Sequence, residues 1–223
     1  MIKERYARTV GTLTQDEVSA LHIKRVCIVG CGGLGGYIME MLARIGIMNI
    51  TAVDGDVFSE SNLNRQLLCT EKNIGEYKAG CAAQRISQIN SEVKICAHKV
   101  YLDEENAEEI LRNHDVLIDA LDNVPSRLLL EKHAEMLNIP LVHGAVREWF
   151  AQIAVVMPGD RMLSKLYGAS ANVPLSVPSF TPAFCASLQV SETIKLLCGK
   201  ESSARSRFLI FDLYDNRMNS FTV

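Results

Sequence analysis

Residues 25–36 read RVCIVGCGGLGG. The first six, Arg25–Gly30, form a short apolar run of strand type, and the glycines that follow open a segment of helical periodicity. Leu34, Ile38, Met41, Leu42 and Ile45 recur at the spacing of one helix face, and Gly46 stands where a C-cap glycine is expected. Gly30, Gly32, Gly33 and Gly35 therefore satisfy G-x-G-x-x-G in the context that the motif requires, after a strand and into a helix. Such a turn lets the backbone approach a phosphate whose charge sits at the helix N-terminus. Asp54 ends the next strand, 19 positions past Gly35, where a carboxylate can accept ribose hydroxyls. A tight strand-to-helix turn without a ligand is the plain alternative, and it leaves the acid at that distance unexplained.

The same alternation continues along the chain. Asn49–Val53 reads as a strand, Lys78–Ile89 as an amphipathic helix and Val93–Ala97 as a third strand. Asp103–Asn113 begins with acids that suit a helix N-terminus, and Asp115–Asp119 is a fourth strand. Asn123–Leu137 is a helix with Pro125 in its first turn, and Ile139–Ala145 is a fifth strand. The order predicts an α/β fold, a Rossmann-like, doubly wound and mostly parallel sheet. Phe150–Met157 predicts an antiparallel continuation, and Phe184–Leu197 a helix. Arg207–Leu213 with Arg217–Val223 predicts a closing hairpin, so antiparallel strands extend the sheet at the C-terminal end. The stretch from Pro158 to Pro182 holds four of the six prolines and little periodicity, which predicts a long surface loop of a functional kind.

The 223 residues are 48% hydrophobic and 22% charged, with a net charge of −3, enough for one core and one domain over 1–223. Mild acidity offers nothing to a nucleic-acid or membrane partner, and no apolar run approaches the ~20 residues of a bilayer span. The opening MIKERYARTVGTLTQDE is polar, which makes a cytoplasmic protein the expectation. Seven scattered cysteines with no C-x-x-C pair predict reduced thiols, most of them packing as small apolar residues.

Residues 53–66, VDGDVFSESNLNRQ, then narrow the ligand. A dehydrogenase would use Asp54 alone, yet Asp56, Asn62, Asn64, Arg65 and Gln66 follow in a polar run beyond the strand end. Lys78 begins a later helix, while Asp122 and Asn123 lie past the end of DVLID on the same rim. Cations there suit a polyphosphate, and an aspartate facing phosphates needs a cation between, for which Mg²⁺ is the usual choice. The set fits ATP better than NAD. Singly, Arg65 could be a solvated loop charge, Lys78 a helix-face lysine and Asp122 an N-cap. Their shared rim favours the joint reading.

RYART (5–9), VGCGGLGG, VDGD, SNLNRQ, IGEYKA (74–79), IDALDN (118–123) with Arg127, and SLQVSETIKLL (187–197) together resemble the MoeB/ThiF/HesA family. These are bacterial relatives of the ubiquitin-activating enzymes, and the likeness runs in order from about residue 4 to the end. The resemblance implies an adenylyltransferase that uses ATP and Mg²⁺ to activate the C-terminal Gly-Gly carboxylate of a ubiquitin-like sulfur carrier, releasing pyrophosphate. It implies that Gly32 and Gly33 approach the phosphates, that Asp54 holds the ribose and that Asn62, Arg65 and Lys78 bind phosphates. Asp122 would hold Mg²⁺. Arg8 matches a family arginine that reaches the neighbouring subunit's ATP, so a homodimer is implied, with an N-terminal helical arm over 1–24 and a crossover-type loop near 158–182.

Two departures matter. Many relatives carry two zinc-binding C-x-x-C pairs, but Arg161 and Met162 stand at the first place and YDNRMNSFTV lacks the second, so no zinc is expected. The loop segment ASANVPLSVP (169–178) holds no thiol for thioester or persulfide chemistry, and Cys185 is expected to be a structural filler. Alternatives from other classes are a tRNA threonylcarbamoyladenosine dehydratase-like enzyme, a non-catalytic ATP-binding partner subunit and an NAD-dependent oxidoreductase.

Overall fold

A computed structural model describes residues 2–167 and 176–223. Its helices and strands follow one another as α1 (Gln15–Leu21), β1 (Arg25–Val29), α2 (Gly35–Ile45), β2 (Asn49–Val53), α3 (Lys78–Ile89) and β3 (Lys94–His98). Then come α4 (Ala107–Leu111), β4 (Val116–Asp119), α5 (Val124–Met136), β5 (Leu141–Arg147), β6 (Phe150–Val156) and α6 (Met162–Tyr167). The chain closes with α7 (Phe180–Leu197), β7 (Phe208–Asp212) and β8 (Arg217–Phe221).

The described residues form one eight-stranded sheet in the order β3-β2-β1-β4-β5-β6-β7-β8. The first five pair in parallel and the last three antiparallel, as the sequence predicts. The central strands are buried on both faces, which is why they read as unbroken apolar runs. Val26, Ile28, Ile50 and Ile118 face a core shared with α1, α2, α3 and α7. Cys27, Val29, Val53 and Leu117 face the opposite core, closed by α4, α5 and α6. Chain order reverses between β1 and β4, and the crevice beyond their C-terminal ends is where ligands bind in open α/β sheets.

Three expectations change. The helix expected over Asp103–Asn113 shrinks to α4. The Asp103 carboxylate accepts the N–H groups of Glu105 and Asn106 at 2.9 Å each, and the Asn106 amide oxygen accepts Asp103 N–H, so residues 103–106 form a turn instead. At the other end, Asn113 takes a left-handed φ of 66° and stops the helix. The loop expected from Pro158 to Pro182 contains α6, because the buried Glu131 carboxylate on α5 accepts the N–H groups of Leu163 and Ser164 at 2.6 and 2.8 Å. Finally, α7 starts four residues before Phe184, with Pro182 in its first turn, where a missing N–H costs nothing. Residues 168–175 of the crossover-type loop lie outside the described residues.

Candidate functional site

A cleft of about 430 Å³ opens at the order reversal. Gly30, Gly32 and Gly33 from the β1–α2 turn, Asp54 and Asp56 after β2, Tyr101 after β3 and Asp122 after β4 line it, together with Arg65, Gln66, Lys78 and Arg127.

The glycines divide by function. Gly30 has φ of +100°, and a Cβ there would stand 2.5 Å from Ala120 O. A Cβ on Gly35 would stand 1.9 Å from Gly30 O. Gly35 is buried and absent from the cleft lining, so its place as a nucleotide contact is corrected to one of helix–strand packing. Gly32 and Gly33 differ, since a Cβ on either would meet Gln66 or Pro182 at ordinary contact distance, 3.5 and 3.6 Å. The fold tolerates a side chain there, and what glycine preserves is open backbone facing the cleft.

The Asp54 carboxylate accepts Cys31 N–H at 2.7 Å and Asp56 N–H at 2.8 Å, which locks its orientation toward the glycine turn. Burial outweighs these two bonds and lifts its pKa above the ordinary carboxylate value. Asp56 behaves in the opposite way. Burial pushes its pKa up, but the Lys78 ammonium at 2.9 Å and the Tyr101 hydroxyl together hold it below the ordinary value. Lys78 is buried on the first turn of α3, so its charge faces the cleft and not solvent.

Arg65 donates to Ser61 O at 3.0 Å and to the Asn64 amide oxygen at 2.8 Å, while Asn64 donates to Val177 O. Gln66 is buried beside Gly32, and its Oε1 has no hydrogen-bond partner among the described residues. Asn62 is placed differently from expectation. It is buried, does not line the cleft, and its amide oxygen accepts Ser59 N–H at 3.1 Å, closing the turn that presents Arg65. Arg8 is exposed and does not line its own chain's cleft.

Asp122 is exposed, and its carboxylate receives only the Asn123 side-chain amide at 3.3 Å among the described residues. Asp54 is oriented by backbone N–H groups and Asp56 is paired with Lys78, whereas the Asp122 carboxylate has no cationic partner among the described residues and is the lining carboxylate best placed for a cation. One carboxylate beside a phosphate cradle is the donor set that Mg²⁺ uses with nucleotides.

Sequence reasoning missed the layer beneath this rim. Asp119 and His143 are fully buried and joined Oδ2 to Nδ1 at 2.6 Å. Burial, only partly offset by Asp119, holds the imidazole pKa below its ordinary value. Its Nε2 lies 3.2 Å from both the Tyr167 hydroxyl and the Gln152 amide. Arg127 reaches Asp119 at 3.7 Å, Tyr167 Oη at 3.3 Å and Leu121 O at 2.7 Å. Asp119 ends a strand and Arg127 follows IDALDN, but Tyr167 and Gln152 gave no local signal. Cys185 is fully buried against Ala145 and Gln152 carbonyls, and burial pushes its thiol up to about 12, the behaviour of a filler and not a nucleophile.

The sequence matches the ThiF family over residues 6–223. It is 32% identical over 225 residues to the SAMP-activating enzyme E1 of Haloferax volcanii, covering 95% of this chain and 82% of that protein. It is 34% identical over 211 residues to the sulfur carrier protein adenylyltransferase of Thermus thermophilus, covering 89% and 78%. Among solved structures, Escherichia coli MccB with ATP superposes with a TM-score of 0.81 at 18% identity, over 92% of this chain and 66% of that one, a likeness of fold. The match across nearly the whole chain, with glycine turn, acids and cations on one rim, makes this chain a member of the ThiF family.

Proposed function

We infer that this protein is an ATP-dependent adenylyltransferase that activates the C-terminal Gly-Gly carboxylate of a small ubiquitin-like sulfur carrier protein. The observation that carries the reading is the cleft itself, in which a glycine turn, Asp54, Arg65, Lys78 and Asp122, a carboxylate without a cationic partner among the described residues, share one rim. The adenylyltransferase name of a relative 34% identical supports the same activity.

The chemistry follows from charge. A carboxylate oxygen of the carrier tail attacks the α-phosphorus, the bond to the bridging oxygen breaks, and pyrophosphate leaves with the electron pair. Two anions must approach and negative charge builds on the phosphate oxygens, so the protein works by positioning and electrostatics. Lys78 spends one of its three N–H donors on Asp56 and has two for phosphate oxygens. Arg65 is anchored through Nη1, which aims the rest of its guanidinium at the cleft. Asp54 accepts ribose hydroxyls. Asp122 would hold Mg²⁺, which when bound neutralises phosphate charge as a Lewis acid.

The tail route is part of the proposal. A second groove of about 640 Å³ shares Arg65 and Val177 with the cleft and is walled by Trp149 and Phe180, and the carrier tail would run along it. The exposed Arg8 acts in a homodimer on the partner's nucleotide. The chain forms a single adenylation domain over 1–223, and the absence of both C-x-x-C pairs leaves zinc out of this reading; Arg161, at the place of the first pair, instead makes a bidentate ion pair with Glu135. Free thiols at all seven cysteines suit a reducing, cytoplasmic setting. No helix among the described residues is long and apolar enough to cross a membrane.

Carrier-dependent ATP–pyrophosphate exchange tests the assignment. Arg65→Ala and Asp122→Ala should each lower exchange by ~10² or more. Near-normal exchange in either variant refutes the role assigned to that residue.

A further inference from the structure

We propose that Tyr167, His143, Asp119 and Arg127 are positioning residues that hold the Leu121–Asp122 backbone in the orientation needed to present the Asp122 carboxylate to a divalent cation. The proposal rests on the nucleotide-and-metal reading of the cleft and adds the machinery behind it.

Asp122 has little of its own to fix it, being exposed and touched only by the Asn123 amide among the described residues. Its direction is therefore set by the backbone before it, and that backbone is gripped from both sides. Leu121 N–H donates to Asp119 Oδ1 at 2.9 Å, and Leu121 O accepts from Arg127 Nη2 at 2.7 Å.

Each gripping side chain is aimed in turn. Asp119 Oδ2 accepts from His143 Nδ1–H at 2.6 Å. That assignment leaves Nε2 of the ring as an acceptor, faced at 3.2 Å by both the Tyr167 hydroxyl and the Gln152 amide N–H. The same hydroxyl accepts from Gln152 at 3.0 Å and from Arg127 Nη1 at 3.3 Å, and the Arg127 guanidinium sits 5.5 Å from the Tyr167 ring centre. One hydroxyl on α6 thus touches both the histidine behind Asp119 and the arginine behind Leu121. A buried carboxylate–imidazole pair of this kind adds little over apolar packing. What it supplies is a fixed geometry, like the outer partners that orient metal ligands.

The test measures Mn²⁺ binding to the ATP complex of the full chain by electron paramagnetic resonance, with ATP affinity in EDTA measured by calorimetry. Wild type is compared with Tyr167→Phe, His143→Gln and, as a control, Asp122→Asn. Tyr167→Phe removes a single oxygen and keeps the ring, so it folds even where His143→Gln does not. Tyr167→Phe should raise the half-saturating Mn²⁺ concentration about tenfold, the lower end for outer partners of a ligand. Metal-free ATP affinity should stay unchanged, which a general loss of structure would not allow. An unchanged Mn²⁺ midpoint in Tyr167→Phe, with Asp122→Asn weakened, overturns the positioning role and leaves the cleft assignment standing. Equal loss of metal-free ATP binding in Tyr167→Phe overturns it too, in favour of a packing role. If Asp122→Asn itself leaves Mn²⁺ binding intact, the metal assignment fails and takes the proposal with it.

Discussion

Lys78 holds its ammonium 2.9 Å from Asp56, with 8% of its side chain exposed against 48% for the aspartate. A buried cation is thus kept in the cleft before any phosphate arrives, and Asp56 is its temporary counter-ion. The pH consequence follows from the direction of the Asp56 shift. Its folded pKa lies below the unfolded value of about 3.9, so its stabilising contribution is complete above that value and disappears as pH falls through the lower folded pKa. Asp56→Asn should lower the melting temperature at neutral pH, and the gap from wild type should close in acid. A gap that persists or widens in acid would show that Asp56 is not held ionised by Lys78. Asp54, Lys78 and Asp122 were legible from the sequence because each sits next to a strand end or at a helix start, and Arg65 because it belongs to a polar run that cannot pack into a core. Asn62 is of a type that suits phosphate binding and turn closure alike, and its contact with Ser59 shows the second. Tyr167 and Gln152 were illegible because they reach the site through tertiary contacts 15 to 40 residues away in sequence.

The β1–α2 turn carries two kinds of glycine within six residues, and substitution separates them. Gly35→Ala drives a methyl group into Gly30 O, backbone that cannot yield, and should cost ~3 kcal/mol or more, the top of the overpacking range. Gly32→Ala meets only the Gln66 side chain at 3.5 Å and should leave the melting temperature within a few degrees while weakening ATP binding. Denaturation curves and nucleotide calorimetry on the two variants check this. Full ATP affinity in a folded Gly32→Ala would remove the turn from the phosphate site. The strands and long helices were readable because their signals are local, in apolar runs, periodicity and a terminal glycine. Helix α6 was not, because its N-terminal N–H groups are capped by Glu131, some thirty residues earlier on α5. A proline-bearing stretch with weak periodicity gives no hint of such a cap.

At the scale of the whole molecule, the sheet gathers the cleft-lining acids and cations at one end, while the exposed Arg8 lies on the N-terminal arm outside its own cleft. If Arg8 serves the partner's site, Arg8→Ala and Asp122→Ala are each inactive alone but complement when mixed. Random reassociation pairs half of the dimers unlike, each with one complete site, so exchange activity should recover to about a quarter of wild type. No recovery, with mixed dimers shown to form, would place Arg8 outside the reaction. The central claim is that this cleft joins a carrier carboxylate to the α-phosphate of ATP. Mass spectrometry of the carrier after incubation with the enzyme, ATP and Mg²⁺ tests it most directly. The predicted product is a carrier heavier by one adenylyl group, with pyrophosphate released in equal amount and no covalent enzyme–carrier adduct. ADP and phosphate as products, or an unmodified carrier with ATP intact, would contradict it.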